Sequence, residues 1–370
     1  MKTINIRTAD LKPGMISANA AYTSSNHLLI QSNTTLTPDI IDKLKHYSIK
    51  SIKVYLPEKE ATAPGSDTES QPGHNVELHK PTYFERVQES EDFAVFREAF
   101  TASVNTFKQQ LNDIVVKNSS EIIDNMLEEV DKILSHTRNP LHLLDMLQCL
   151  RGFDDMTYMH SMNVALICNV IGGWINLPEE EKNQLIICGL LHDIGKLQIS
   201  PDIILKPGKL TDEEFEQIRT HPKLGYDILC SKDLDERVKL AALQHHERYN
   251  GTGYPGHLPA SEISFFSSIV AVADVYDAMT SNRVYRKGIC PFKVIGILEK
   301  EKDLYDPSIL YLFMKRTVEA YINSEVILSN NEQGKVVLIN QHSLSRPVVL
   351  ADTQTYDLSK IPGIEIETLI

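Results

Sequence analysis

The strongest constraint on this chain is a set of histidines and aspartates placed where helix periodicity calls for apolar side chains. Between residues 138 and 324 apolar residues recur at helical spacing, without convincing strand alternation. His160 falls on the stripe His160, Val164, Ile167, Ile171 and so faces the core. The run Leu190-Leu191-His192-Asp193-Ile194-Gly195-Lys196 sets an adjacent His-Asp pair at the end of an apolar helix, which Gly195 is expected to terminate. His221 precedes Pro222, and His245-His246 closes the helix that contains Val238 and Leu243. Asp274 and Asp277, three residues apart and hence on one face, interrupt the apolar helix around Ile269 to Ala273. A buried carboxylate without a partner costs a few kcal/mol or more, so buried charges are normally paired or bound to metal. Taken singly, each position has a bland explanation: a core histidine on a backbone carbonyl, two unrelated surface histidines, a salt-bridged aspartate. On separate helices of one domain, they are most economically explained together as a dinuclear metal site. Imidazole and carboxylate donors suit Fe, Mn or Zn, and the lack of thiolate ligands weakens the case for a structural zinc.

The rest of the chain divides around this helical region. Residues 1–56 read as a small α+β module, with apolar runs at Leu28 to Ile30 and Ile49 to Val54 and a helix expected after Thr37-Pro38. Residues 57–81 are polar, rich in Pro, Gly and acidic side chains, and aperiodic, as in a flexible linker. Residues 82–137 carry Phe93, Phe96, Phe100, Val104, Phe107, Leu111 and Ile114 at helical spacing. Such connecting helices either pair with a second copy, making a homodimer, or pack onto the neighbouring domain. Thr211-Asp212-Glu213-Glu214 is a capping box that opens a helix. Residues 325–370 read as a small β appendage, from the runs at Val326 to Leu328, Val336 to Ile339 and Val348 to Leu350. The expected class is therefore mainly α, with an all-helical central domain between the α+β module and the β segment.

Charge and cysteine usage narrow the setting. A formal net charge of −13 argues against a general binder of nucleic-acid polymers or anionic membranes, but not against a small anionic ligand held by local arginines. No apolar run approaches the roughly 20 residues needed to span a bilayer, and the N-terminal residues lack the apolar segment of a signal peptide. The 5 cysteines are scattered without a CxxC pair, as expected of reduced core residues in a cytoplasmic protein.

The order His160, His192-Asp193, His221, His245-His246, Asp274 resembles the HD-GYP branch of the HD metal-dependent phosphohydrolases. The run HHERYNGTGYPGHL from His245 contains that branch's Gly253-Tyr254-Pro255 triplet. HDIGK from His192, KPGKLT from Lys206 and AVADVYDAMTSNRVYR from Ala271 to Arg286 fit as well. The resemblance covers about half the chain. It implies hydrolysis of a cyclic dinucleotide, typically cyclic di-GMP, to linear pGpG or GMP, with two divalent ions, Fe or Mn. It further implies that His192, Asp193, Asp274 and His160 hold one metal. Asp193 would bridge to a second metal held by His221, His245 and His246, so that two cations activate water and neutralise the developing charge. Lys196 would bind or protonate a phosphate oxygen. Arg283 and Arg286 align with phosphate-contacting positions, where guanidinium suits a phosphodiester. Tyr285 lies between them, placed to stack or hydrogen-bond. Asp277 would orient a ligand from behind.

Two positions depart from the pattern. Some members carry a glutamate four residues before the first histidine that recruits a third metal; here that residue is Met156, and two metals are expected. Asn250 replaces the usual aspartate before Gly251, with little consequence expected for the turn. Two rivals stay open: a cyclic-dinucleotide receptor that does not cleave, and an HD phosphohydrolase acting on another nucleotide. The full ligand set argues against the first, and the Gly-Tyr-Pro triplet with the second histidine set argues against the other.

Overall fold

The computed structural model describes residues 3–8, 11–12, 14–18, 21–22, 28–30, 34–37, 40–41, 44–45, 49, 51–55, 82–116, 120–150, 156–206, 208–280, 290–352 and 354–370. The expected linker at 57–81 lies outside them, as do Arg283, Tyr285 and Arg286. The chain separates into two compact units, Met1–Glu77 and Leu78–Ile370.

In the first unit β1 (Thr3–Arg7) pairs antiparallel with β4 (Ser51–Tyr55), in the register Thr3 to Tyr55 and Arg7 to Ser51. A second pair joins β2 (Ala21–Tyr22) to β3 (Leu28–Ile30). Residues 40, 41, 44 and 45 are helical, where a helix after Thr37 was expected. Ile30, Leu36, Ile41, Leu44, Ile52 and Val54 form a core of this unit's own.

The second unit is mainly α-helical. Its helices are α1 (Tyr83–Gln88), α2 (Glu91–Val116), α3 (Ser120–Leu134), α4 (Pro140–Cys149), α5 (Met156–Trp174), α6 (Glu179–Leu191) and α7 (Pro201–Ile204). There follow α8 (Asp212–Ile218), α9 (His221–Cys230), α10 (Glu236–Gln244), α11 (Phe265–Thr280), α12 (Pro291–Lys300) and α13 (Pro307–Glu319). Their starts are written in the sequence. Thr82 with Glu85 and Thr211 with Glu214 are capping boxes, and Asn139 and Asp306 cap helices that open with proline. The α2 stripe from Phe93 to Ile114 is buried, and α2 packs on α3 and α5. These residues therefore cover the chain's own helices.

One hydrophobic core runs from Phe93 through the central helices to Leu369. The C-terminal strands β5 (Glu325–Leu328), β6 (Gln333–Leu338), β7 (Val348–Ala351), β8 (Thr355–Asp357) and β9 (Ile366–Leu369) form one antiparallel sheet in the order β8-β7-β6-β5-β9. Val326, Val336, Val349 and Ile366 belong to the same core as the helices, and Lys293 of α12 donates to Glu367 of β9 at 2.7 Å. No helix among the described residues is long and apolar enough to cross a membrane. No disulfide is present among them either, and Cys149, Cys168 and Cys188 are buried as thiols.

Candidate metal centre

Five helix segments bring the singled-out histidines and aspartates to one place. His160 comes from the first turns of α5, and His192 and Asp193 from the residues just after α6. His221 opens α9, His245 caps the C-terminus of α10, and Asp274 and Asp277 lie in α11. Gly195 does not end α6, which stops at Leu191; it sits inside the 3-10 helix Ile194–Gln198. A side chain there would lie 2.0 Å from the carbonyl oxygen of His221. The glycine is required because α9 crosses it closely, and that crossing brings His221 beside Asp193.

The imidazoles are fixed from behind. Nδ1 of His192 donates to the Gly189 carbonyl at 2.8 Å, and Nδ1 of His221 donates to Ile218 at 2.7 Å. Nδ1 of His245 donates to Ala241 and Ala242, both at 3.1 Å. In the neutral imidazole each Nε2 is then a lone pair, and the three turn inward. The Nε2 atoms of His221 and His245 lie 3.1 Å apart. Nε2 of His192 and Oδ1 of Asp193 are buried without a hydrogen-bonding partner. Such an orphaned, inward-facing set fits a bound cation and is otherwise costly.

Asp193 stands between two groups of donors. Its Oδ1 lies 3.2 Å from His221 Nε2 and 3.7 Å from His245 Nε2. Its Oδ2 lies 3.4 Å from His192 Nε2 and 3.7 Å from His160 Nε2, and accepts from Lys196 Nζ. The donor atoms of Asp193, His221, His245 and His246 all lie within 4.8 Å of one another, and so do those of His160, His192 and Asp274. Two aspartates hold the first histidine: His160 Nδ1 lies 2.7 Å from Asp277 Oδ2, and its Nε2 lies 3.0 Å from Asp274 Oδ1.

Burial and close charges set the protonation of these groups. Burial raises the Asp193 carboxyl, but Lys196, His192 and His221 outweigh it and hold it well below its ordinary value. Asp274 behaves alike, burial being outweighed by His160 and the other imidazoles. Burial pushes His245 down to about 4 against the pull of Asp193. Burial, with neighbouring His245, pushes His246 well down too. For His160, burial is overcome by Asp274 and Asp277, which raise it to about 10. The carboxylates are thus ionised and His245 and His246 neutral at pH 7, the forms that bind cations, whereas His160, paired with two aspartates, holds a proton that a cation would have to displace.

Three contributors were not singled out by sequence reasoning. Asn163, one turn past His160, donates from Nδ2 to Asp277 Oδ1 at 2.9 Å. Glu247, next to His245-His246, is buried and accepts from the Gly-Tyr-Pro loop. Arg219 lies with its guanidinium 4.7 Å from the centre of the Tyr254 ring. Adjacency to the paired histidines was the one available signal, and it pointed only to Glu247. Asn250, where an aspartate is usual, accepts at Oδ1 from Thr252 N and Oγ1, as a turn residue does.

Residues 122–309 match the HD domain family, and the chain belongs to that family. Within it, the chain is similar to a cyclic di-GMP phosphodiesterase of Pseudomonas aeruginosa, 34% identical over 229 residues, 62% of this chain and 53% of the relative. It is also similar to a 3'3'-cGAMP-specific phosphodiesterase of Vibrio cholerae, 34% identical over 154 residues, 39% of this chain and 34% of the relative. Among solved structures, an HDG"Y"P protein from Bdellovibrio bacteriovorus shares the fold. That match has a TM-score of 0.50 at 15% identity and covers 84% of this chain and 98% of that one. The chain spans about half the length of the first curated relatives it matches, at 53% for each of two.

Proposed function

We propose that this chain is a phosphodiesterase that opens a cyclic dinucleotide, cyclic di-GMP first among them, to linear pGpG or GMP. The observation that carries the reading is Asp193, whose two oxygens face two separate sets of imidazoles. His160, His192, Asp274 and Asp193 Oδ2 would hold one divalent cation; Asp193 Oδ1, His221, His245 and His246 would hold the other. Donors of imidazole and carboxylate without thiolate suit Fe or Mn, and Met156 in place of a carboxylate supports two ions, not three. When bound, the pair would supply Lewis-acid activation of water and neutralise charge on the phosphodiester.

The protein's own groups then have defined tasks. Asp193 keeps its charge although buried, and Asp277 fixes the ring of His160. Lys196 Nζ, beside Asp193 and 23% exposed, is placed to hold a phosphate oxygen. Arg283, Arg286 and Tyr285 would grip the substrate, a role that rests on their place in the sequence. A localisation in the cytoplasm accords with the reduced thiols.

The test is hydrolysis by protein purified without oxygen and loaded with Fe or Mn, against cyclic di-GMP, 3'3'-cGAMP and cyclic di-AMP. Linear product is expected from cyclic di-GMP, abolished by chelation and restored by metal. Tight binding with no product over hours would replace the enzyme by a receptor. Cleavage of another cyclic dinucleotide alone would keep the chemistry and change the base.

A further inference from the structure

The Gly-Tyr-Pro loop is tied to the metal centre by one side chain that the proposed chemistry does not use. Glu247 follows the paired histidines and is 3% exposed. Its Oε1 accepts the Gly256 N–H at 2.6 Å and its Oε2 accepts the Leu258 N–H at 3.1 Å. A buried carboxylate that takes two backbone N–H groups from one loop fixes that loop's position. The chain returns tightly over the same residue: a side chain at Gly253 would lie 2.3 Å from the Arg248 nitrogen and 2.4 Å from the Glu247 Cα. Tyr254 N–H then donates to the His246 carbonyl at 3.1 Å. The Tyr254 ring lies stacked on the His246 imidazole, with centroids 4.7 Å apart and planes at 26°. Among the described residues no backbone carbonyl accepts from the His246 ring as one does from His192, His221 and His245; the tyrosine is the ring stacked on it, with the His245 and His221 rings tilted or edge-on at 4.2 and 5.0 Å.

We infer that Glu247 is a positioning residue: it clamps the 253–258 loop so that Tyr254 holds His246 in the orientation needed by the His221, His245, His246 donor group. The glycine is needed for the close return, and the tyrosine supplies the flat face. This deepens the proposed function and rests on its metal-site reading. The clamp acts on one donor group, because the ring it holds is His246, whose Nδ1 lies 3.9 Å from Asp274 Oδ2 of the other group, beyond hydrogen-bonding reach.

Mn²⁺ titration of the full chain, by calorimetry and by the EPR signal of free Mn²⁺, tests it. Wild type is expected to take two equivalents. Glu247→Gln loses one acceptor oxygen, and Tyr254→Leu loses the ring. Each is expected to weaken one equivalent by roughly 10- to 100-fold and leave the other unchanged, as for other groups that orient metal ligands. The double variant is expected to be no weaker than the weaker single, because both act through the same contact. A general loss of structure would instead weaken both equivalents and add up. Should Glu247→Gln not fold, Tyr254→Leu decides alone. Two equivalents at wild-type affinity in either folded variant would overturn the clamp, while failure of the wild type to bind Mn²⁺ would overturn the metal reading as well.

Discussion

At the scale of single residues, Asp193 does what no neighbour can replace, because its two oxygens look into different donor groups. Asp193→Asn keeps the shape and removes the charge. Metal content is expected to fall from two equivalents, and turnover to drop at least about a hundredfold, as when a main electrostatic contribution is removed. Near wild-type activity with both metals retained would show the bridging role to be misassigned. Asn163 offers a finer test. It holds Asp277, which holds His160, so Asn163→Ala is expected to weaken the His160, His192, Asp274 group by roughly 10- to 100-fold in Mn²⁺ affinity. The Glu247 variants should spare that same group, which separates the two ends of the centre. His160, His192 and Asp274 were legible in the sequence because ionisable types interrupt or end apolar stripes, whereas His221, before Pro222, was marked only by the order of the motifs. Asn163 was not, since an asparagine on a buried face announces nothing until α11 is laid against α5.

Between elements, a buried carboxylate joins parts of the chain far apart in sequence. Asp145 of α4 accepts from Tyr83 of α1 at 2.6 Å and from Tyr321, just past α13, at 3.0 Å. Burial raises its carboxyl to about 6, against the opposing pull of the two tyrosine hydrogen bonds. The folded protein therefore keeps this proton where the unfolded chain, with a value near 3.9, has released it. The stability it contributes is fully present below about pH 4 and is lost as the pH rises through about 6. On the order of 3 kcal/mol is at stake. In urea unfolding, Asp145→Asn is expected to gain about that much relative to wild type between pH 4 and pH 7; a flat difference would refute it. The helices themselves were readable from spacing and caps. Strands β8 and β9 were not, because segments this short take their pairing from β7 and β5. Gly195 was read as a helix stop for the same reason: its true constraint is a neighbouring helix.

Across the whole molecule, the two units carry separate cores, and the proposed metal donors all belong to the second. Cations that bind only the folded state stabilise it by about 2.7 kcal/mol per site at a concentration a hundred times Kd. Scanning calorimetry with and without chelator is therefore expected to move the transition of residues 78–370 and leave that of the first unit in place. A shift of both together would mean that the two melt as one. The aromatic face of α2 bears on how such a protein can be handled. Phe96, Phe100 and Phe107 are fully covered by α3 and the central helices, although the family match begins only at residue 122. Cutting the gene where the recognisable motifs begin would strip α2 away and leave its greasy counterpart on α5 in water. A fragment carrying the site, for crystallisation or for fusion to another domain, should begin ahead of Thr82.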